Sequence, residues 1–131
     1  MTDAAPSAGR LAGRRILVVD DDPDIRAAMC LALRAEGAVT VDAEDGSLAI
    51  HRLQHALPEA VVLDMMLPGQ SGFSVLERAR AMVPAPPVVM VTANHGHRHA
   101  ELARSLGASA YLVKPVPLER LVAAVASALG V

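Results

Sequence analysis

From Arg14 to the end of the chain, short apolar runs alternate with longer segments that have the periodicity of amphipathic helices. Three of the runs are nearly continuous in Val, Ile, Leu and Met, which is typical of parallel strands covered on both faces. Strict alternation with short links predicts a parallel sheet with right-handed crossovers. The predicted strands are residues 16–19, 39–42, 60–63, 88–92 and 110–113, and the predicted helices are residues 23–36, 47–57, 72–82, 97–106 and 117–129. We therefore predict an α/β fold with one doubly wound, five-stranded parallel sheet flanked by five helices.

Chain length and composition set the domain organisation. A chain of 131 residues is long enough for one hydrophobic core, and we assign residues 14–131 to one domain. Residues 1–13 are rich in Ala, Gly, Pro and Ser without periodicity, so we predict a flexible N-terminal tail. Cys30 is the only cysteine, which excludes an internal disulfide and a thiolate-rich metal site.

Charge and hydropathy restrict the partners. The formal net charge of −2 gives no electrostatic footprint for nucleic acid or an anionic membrane. The N-terminus lacks the apolar stretch of a signal peptide. The uncharged run at residues 121–131 falls well short of the roughly 20 residues that a membrane span needs. We expect a cytoplasmic protein without direct contacts to nucleic acid or membrane.

Five polar residues stand where apolar runs stop. Asp20 and Asp21 follow the first run, Asp64 follows the third, Thr92 ends the fourth, and Lys114 follows the fifth. Parallel strands present their carboxyl ends at one sheet edge, where open α/β sheets bind ligands. Two carboxylates about 5 Å apart repel by roughly 3 kcal/mol at an effective dielectric near 20. Three of them therefore need a cation, and all-oxygen ligands suit Mg²⁺.

Most of these residues also have a purely structural interpretation. Asp22, which precedes Pro23, suits a helix N-cap followed by proline at the first helical position. Threonine is ordinary in strands, and Lys114 would suit a solvated strand end. Asp64 is harder to explain in this way, because a carboxylate among apolar neighbours is costly unless it is paired or bound to a metal.

Four segments together resemble the receiver domain of two-component response regulators. They are Val18-Val19-Asp20-Asp21, Leu63-Asp64-Met65-Met66-Leu67-Pro68-Gly69, Val91-Thr92-Ala93 and Tyr111-Leu112-Val113-Lys114-Pro115. The resemblance covers about residue 14 to the C-terminus, and with it we expect the flavodoxin-like strand order 2-1-3-4-5. A stand-alone receiver of this kind is no conventional enzyme, since it catalyses only its own phosphorylation and dephosphorylation.

The resemblance implies a role for each residue of the cluster. Asp64 would be the phosphoacceptor, taking a phosphoryl group from a histidine kinase or phosphotransfer protein. The implied Mg²⁺ ligands are Asp20, Asp21, Asp64 and the backbone carbonyl of Met66. The implied phosphoryl ligands are Lys114, Thr92 and the backbone N–H of Ala93.

The resemblance also implies a conformational switch. Movement of Thr92 toward the phosphoryl group would leave space for Tyr111 to turn inward. The fourth helix, fifth strand and fifth helix would then present a new surface to an unidentified downstream protein. Two features depart from the family pattern or vary within it: Ser71-Gly72 replaces the common Asp-Gly pair, and Met66 and Asn94 occupy positions that tune the lifetime of the phosphoryl group.

Histidines and the last helix carry further hypotheses. A zinc site formed by His95, His97 and His99 is disfavoured, because helical spacing spreads these side chains over different directions. We interpret them, with His51 and His55, as solvated. The last helix has small residues where a solvent face is normally more polar, so we consider a homodimer through this helix beside simple helix propensity.

Two other function classes remain as alternatives. One is a receiver-like interaction module that is never phosphorylated, which loss of Asp64 or Lys114 would have suggested. The other is an aspartyl-nucleophile phosphatase. Such enzymes resemble a pattern with an Asp-x-Asp nucleophile on the first strand and a cap over the substrate, and this chain has no insertion that could form a cap.

Overall fold

The computed structural model describes residues 9–93 and 96–131. All ten predicted elements are present, and where their ends differ from the predicted ones, the difference is one or two residues. In chain order they are β1 (Arg15–Val19), α1 (Pro23–Ala35), β2 (Val39–Ala43), α2 (Gly46–Ala56), β3 (Ala60–Leu63), α3 (Gly72–Arg80), β4 (Val88–Thr92), α4 (His97–Ser105), β5 (Ala110–Val113) and α5 (Leu118–Leu129).

The five strands form one parallel sheet in the order β2-β1-β3-β4-β5. The predicted fold class and strand order are therefore confirmed. Because the chain steps from β1 to β2 on one side and then crosses to β3 on the other, strand order reverses between β1 and β3. In sheets of this kind the crevice at the carboxyl ends of those strands is the usual ligand site.

Alternate residues of each central strand face opposite layers of helices, as the two-residue period of a strand requires. Ile16 and Val18 belong to one buried cluster, which also contains residues of α1 and α5, among them Cys30. Leu17 and Val19 belong to a second cluster with residues of α2, α3 and α4. Both faces of β1 are thus buried, which explains its unbroken apolar sequence.

Leu11 corrects the predicted boundary of the N-terminal tail. Its side chain is completely buried in the cluster that contains Ile16, and its N–H donates to the Glu36 carbonyl at 3.0 Å. The Gly13 N–H donates to the Gly37 carbonyl at 3.0 Å. Residues 9–13 therefore pack against the end of α1, and one leucine in an Ala/Gly-rich segment was too weak a signal to predict this. The rest of the predicted tail, residues 1–8, lies outside the described residues.

Asp22 caps α1 as predicted. Its carboxylate accepts hydrogen bonds from the backbone N–H groups of Asp24 and Ile25, and Pro23 follows as the first helical residue. A capping side chain of this kind stabilises a helix by about 1 kcal/mol. The cap thereby fixes the start of α1 directly after the turn that carries Asp20 and Asp21.

Gly72 allows α3 to begin against the residue after β3. A Cβ atom at this position would meet the Asp64 carbonyl oxygen at 2.4 Å and the Met65 Cα at 2.5 Å. The Gly72 N–H donates to the Met65 carbonyl at 2.9 Å, and the Ser71 hydroxyl accepts from the Ser74 N–H at the helix start. The close approach explains why the small residue stands here.

Candidate functional site

Three of the polar residues predicted to meet at the sheet edge are buried. Asp20 and Thr92 are completely buried, and Asp64 is 5% exposed. Among the side chains of residues 9–93, 96 and 98–131, no other polar one is as deeply enclosed. Burying a carboxylate is unfavourable unless a cation or hydrogen bonds compensate it, so the surroundings of the two aspartates decide what the site can do.

Lys114 joins the two buried aspartates across the crevice. Its Nζ donates to Asp20 Oδ2 at 2.7 Å and to Asp64 Oδ2 at 3.1 Å. Burial lowers the pKa of Lys114, but the hydrogen bonds to Asp20 and Asp64 and the negative charges of these two residues together outweigh this effect and leave the pKa raised. The lysine is therefore a fully charged ammonium group held between two acids.

For Asp20, the effect of burial on the pKa exceeds the effect of the hydrogen bonds. Burial raises the pKa of this carboxyl group, and the hydrogen bonds from Lys114 and from the Asp22 N–H, which donates to Asp20 Oδ1 at 2.9 Å, lower it only in part. The negative charge of Asp64 adds to the increase, so the net pKa is raised. One ammonium group thus compensates the buried carboxylates incompletely.

Asp21 completes an oxygen-lined cluster that suits a divalent cation. Its side chain is exposed, and ligand oxygens of Asp20, Asp21 and Asp64 all lie within 4.8 Å of one another. Three carboxylates and one ammonium leave a formal excess of negative charge, and all-oxygen donor sets are preferred by Mg²⁺. The donor set and its uncompensated charge fit the predicted metal.

The segment after Asp64 also contacts its carboxylate. The Met66 N–H donates to Asp64 Oδ1 at 3.1 Å, while the Met66 side chain is 63% exposed. Both oxygens of Asp64 are therefore hydrogen-bonded, one to this N–H and one to Lys114. The role of the Met66 carbonyl as a metal ligand stays a prediction.

The predicted phosphoryl ligands and switch residues lie on β4 and β5. Thr92 ends β4 beside Val113, and its carbonyl accepts a hydrogen bond from the Lys114 N–H at 2.8 Å. Ala93 is exposed just beyond the strand. Tyr111 is half-buried against the cluster that contains Leu17 and Val19. Burial raises the pKa of Tyr111, and the negative charge of Asp64 raises it further, so its hydroxyl lies within the electrostatic influence of the site.

Arg26 contacts the backbone next to the acidic cluster, and the sequence analysis did not predict this. Its guanidinium Nη1 donates to the backbone carbonyl of Asp20 at 2.8 Å, and its Nε donates to Asp42 Oδ2 at 3.0 Å. In the amino-acid sequence, an arginine in the first turn of a helix looks like an ordinary surface residue. Its position four residues after the end of the Asp20–Asp22 segment is the only signal that could have pointed to it.

The histidines do not join the site as far as they are described. His51 and His55 are exposed, and their rings stack at a centroid distance of 4.1 Å. His99 is half-buried with its Nδ1 enclosed, and its ring lies nearly parallel to the Phe73 ring at a centroid distance of 6.3 Å, so the interpretation of His99 as solvated is wrong. Asn94, His95 and the side chain of His97 lie outside the part of the chain that the structure describes.

The small residues of α5 have two environments. Ala126 is buried in the core and Ala124 is half-buried against it. The solvent-exposed face of α5 therefore contains fewer of these small residues than predicted. Ala123 and Ser127 are exposed.

In the described part of the chain, no helix has both the length and the apolar character required to cross a membrane.

Comparisons with known proteins agree with the geometry. The family model "Response regulator receiver domain" matches residues 16–126. The chain is 40% identical over 112 residues to the DNA-binding response regulator MtrA of Mycolicibacterium smegmatis, covering 86% of this chain and 49% of that protein. It is also 40% identical over 112 residues to the phosphate regulon transcriptional regulatory protein PhoB of Klebsiella pneumoniae, covering 84% and 49%. The chain thus spans about half the length of these curated relatives.

A solved structure shares the whole architecture. The crystal structure of a CheY-like response regulator receiver domain protein from Methanospirillum hungatei JF-1 matches with a TM-score of 0.86 and 27% identity, covering 91% of this chain and 95% of that one. The fold, the cluster at the sheet edge and the family model covering residues 16–126 lead to one conclusion. The chain belongs to the response regulator receiver domain family.

Proposed function

We propose that Asp64 accepts a phosphoryl group from a histidine kinase or phosphotransfer protein in a Mg²⁺-dependent reaction. The observation that carries the proposal is the buried Asp20–Lys114–Asp64 cluster, with hydrogen bonds of 2.7 and 3.1 Å. A structural salt bridge would need one acid for one lysine. Here a second buried acid and the neighbouring Asp21 give an excess of negative charge next to a charged ammonium group, an arrangement suited to phosphoryl transfer.

Asp64 is the nucleophile in this proposal. One of its carboxylate oxygens attacks phosphorus, the phosphorus–nitrogen bond of a donor phosphohistidine breaks, and the imidazole nitrogen leaves with the electron pair. The Met66 N–H and Lys114, which now contact the carboxylate, orient it for in-line attack. Mg²⁺, held by Asp20, Asp21, Asp64 and the Met66 carbonyl, would supply charge neutralisation for the phosphoryl oxygens.

Lys114, Thr92 and Ala93 receive the transferred group. The Lys114 ammonium moves from the Asp64 carboxylate to a phosphoryl oxygen, and the Thr92 hydroxyl and Ala93 N–H donate to the others. Because these donors contact the group only after transfer, they favour one of two conformations of the domain. Tyr111, within the electrostatic influence of Asp64, is the side chain through which we propose that the change reaches the surface of α4, β5 and α5.

The partners in this proposal are proteins. An apolar cavity of about 470 Å³ lies between α1 and α5, with Lys114 among its lining residues. A donor protein that covers it brings its histidine close to the crevice. We further propose that the downstream target is a protein, that the chain makes no direct contact with nucleic acid, and that exposed residues of α5 contact a second copy of the chain.

The proposal is tested by intact mass after incubation with acetyl phosphate. With Mg²⁺, we expect the protein to gain the mass of one phosphoryl group, because this small donor replaces phosphohistidine. Without Mg²⁺, or with Asp64→Asn, no gain is expected. Asp24→Asn is the matched control, because Asp24 is an exposed acid outside the cluster, and it should be labelled like the wild type.

Two other outcomes distinguish the alternatives. Absence of an adduct, together with no spectroscopic response to beryllofluoride, would contradict the proposal and favour an interaction module that is not phosphorylated. Turnover of a generic phosphate ester would instead indicate an aspartyl-nucleophile phosphatase.

A further inference from the structure

Arg26 connects the carboxyl ends of two strands next to the acidic cluster. Its Nη1 donates to the backbone carbonyl of Asp20, after β1, at 2.8 Å, and its Nε donates to Asp42 Oδ2, within β2, at 3.0 Å. The Arg26 side chain is only 18% exposed. A planar guanidinium group can make both contacts at once, which an ammonium group at the same place cannot do with the same geometry.

The Asp21 carboxylate differs from those of Asp20 and Asp64 in that no side-chain contact holds it in the described part of the chain. Asp20 is fixed through its own side chain by Lys114 and the Asp22 N–H, and Asp64 by Lys114 and the Met66 N–H. Within the described residues, the exposed Asp21 side chain makes no hydrogen bond or ion pair. Its location within 4.8 Å of the other two acids is therefore set by the backbone of the β1–α1 turn.

We propose that Arg26 is a positioning residue that orients Asp21 for the cation by holding the carbonyl of Asp20. The proposal rests on the Mg²⁺-dependent function proposed above and adds a residue outside the ligand set. Arg26 does not touch the cation or the phosphoryl group. It acts through the peptide group that joins Asp20 to Asp21.

A competing electrostatic effect has the opposite sign. A guanidinium charge near three carboxylates disfavours a bound cation, so its removal alone would strengthen Mg²⁺ binding. Arg26→Gln also leaves Asp42 without its partner, so this variant combines a change of charge with a loss of positioning. The two effects change the affinity in opposite directions, and Arg26→Lys, which keeps the positive charge but not the planar geometry, isolates the loss of positioning.

The test is an equilibrium Mg²⁺ titration by isothermal calorimetry of wild type, Arg26→Gln, Arg26→Lys and Asp42→Asn. We expect Arg26→Gln to weaken binding about tenfold, the scale at which residues behind metal ligands act. Arg26→Lys, which can keep one of the two contacts, should recover part of the affinity. Asp42→Asn keeps the contact to the Asp20 carbonyl but leaves the Arg26 charge unpaired, so its affinity should fall less than that of Arg26→Gln.

Unfolding by urea without Mg²⁺ separates positioning from general stability. A merely structural role would lower the stability of the metal-free protein and leave the Mg²⁺ affinity of the folded protein unchanged. Equal or tighter binding by Arg26→Gln would overturn the inference and leave the proposed function intact. If Arg26→Gln does not fold, Arg26→Lys with wild-type affinity has the same consequence. Failure of the wild type to bind Mg²⁺ would instead contradict the proposed function itself.

Discussion

Asp20 shows at the scale of one residue how a functional site costs stability. The carboxyl group is completely buried, and burial raises its pKa above the usual 3.8 although Lys114 and the Asp22 N–H favour the charged form. A carboxyl group whose pKa is raised on folding contributes most to stability below 3.8, where it is protonated in both states. This contribution is lost as the pH rises through the pKa of the folded state. The raised pKa of Asp20 therefore makes the metal-free protein less stable at pH 7 than it would be with an unshifted carboxyl group.

We predict that Asp20→Asn makes the metal-free protein more stable at pH 7. The amide removes a buried charge, and its single oxygen can keep one of the two hydrogen bonds that Lys114 and the Asp22 N–H donate to separate oxygens of Asp20. Because the burial penalty of the charge exceeds the benefit of the lost bond, a gain of about 1 kcal/mol is expected. The gain should shrink as the pH falls toward 3.8, where wild-type Asp20 also becomes neutral. Urea unfolding without Mg²⁺ at several pH values measures it.

Asp24→Asn is the control for this experiment, because Asp24 is exposed and lies outside the cluster. It should show no comparable gain at any pH. A variant Asp20→Asn that is less stable than wild type at pH 7 would mean that its ion pair with Lys114 outweighs the burial of the charge.

At the scale of single elements, the helix starts hold the site in place. The cap by Asp22 places the start of α1 next to Asp20. The close approach of Gly72 to the Asp64 backbone places the start of α3 next to Asp64. Ser71, which departs from the common family pair, caps α3 through the Ser74 N–H. Ser71 therefore serves as the N-cap of α3, and the acidic cluster does not depend on an aspartate at this position.

The α5 helix carries the proposed self-association. Ala123 and Ser127 are exposed and small, so a second helix can approach closely at this face. We predict that light scattering after treatment with Mg²⁺ and beryllofluoride gives twice the monomer mass. Ala123→Arg should keep the protein monomeric, because a long charged side chain blocks the approach.

The matched control is Ala27→Arg, which adds the same side chain to an exposed position of α1. It should not change the oligomeric state. A monomeric mass for the wild type with and without beryllofluoride would contradict the self-association and leave the phosphoryl-transfer proposal untouched.

At the scale of the whole molecule, the switch can be followed by one fluorophore. The chain contains a single tyrosine and no tryptophan, so its intrinsic fluorescence reports on Tyr111 alone. We predict that phosphorylation with acetyl phosphate changes this fluorescence, because Tyr111 turns inward when Thr92 moves. Thr92→Val keeps the shape of this buried side chain but removes the hydroxyl group, so it should abolish the change.

Intact mass must show the adduct in both proteins for this comparison to be valid. The expected result is a phosphorylated Thr92→Val whose tyrosine emission equals that of the unmodified protein. An equal fluorescence change in the variant would show that Tyr111 responds to the charge on Asp64 without the threonine.

Much of the fold could be predicted because its signals are local. Apolar runs, helical periodicity and the Asp22–Pro23 cap depend on neighbours in the chain, and they located all ten elements. Leu11 and Arg26 were missed because their roles depend on residues far along the chain. Leu11 needs the end of α1, and Arg26 needs Asp42, 16 residues away.

The succession of strands and helices along the chain, and the polar residues that end the strands, could be predicted because they follow from periodicity and from parallel strand direction. Which of those residues are in contact depends on how the chain packs in three dimensions. Lys114 and Asp20 are 94 residues apart in the chain, yet their charged atoms lie 2.7 Å apart, since β1, β3, β4 and β5 are adjacent in one sheet. Contact between distant residues depends on register and burial, and these are properties of the packed sheet as a whole.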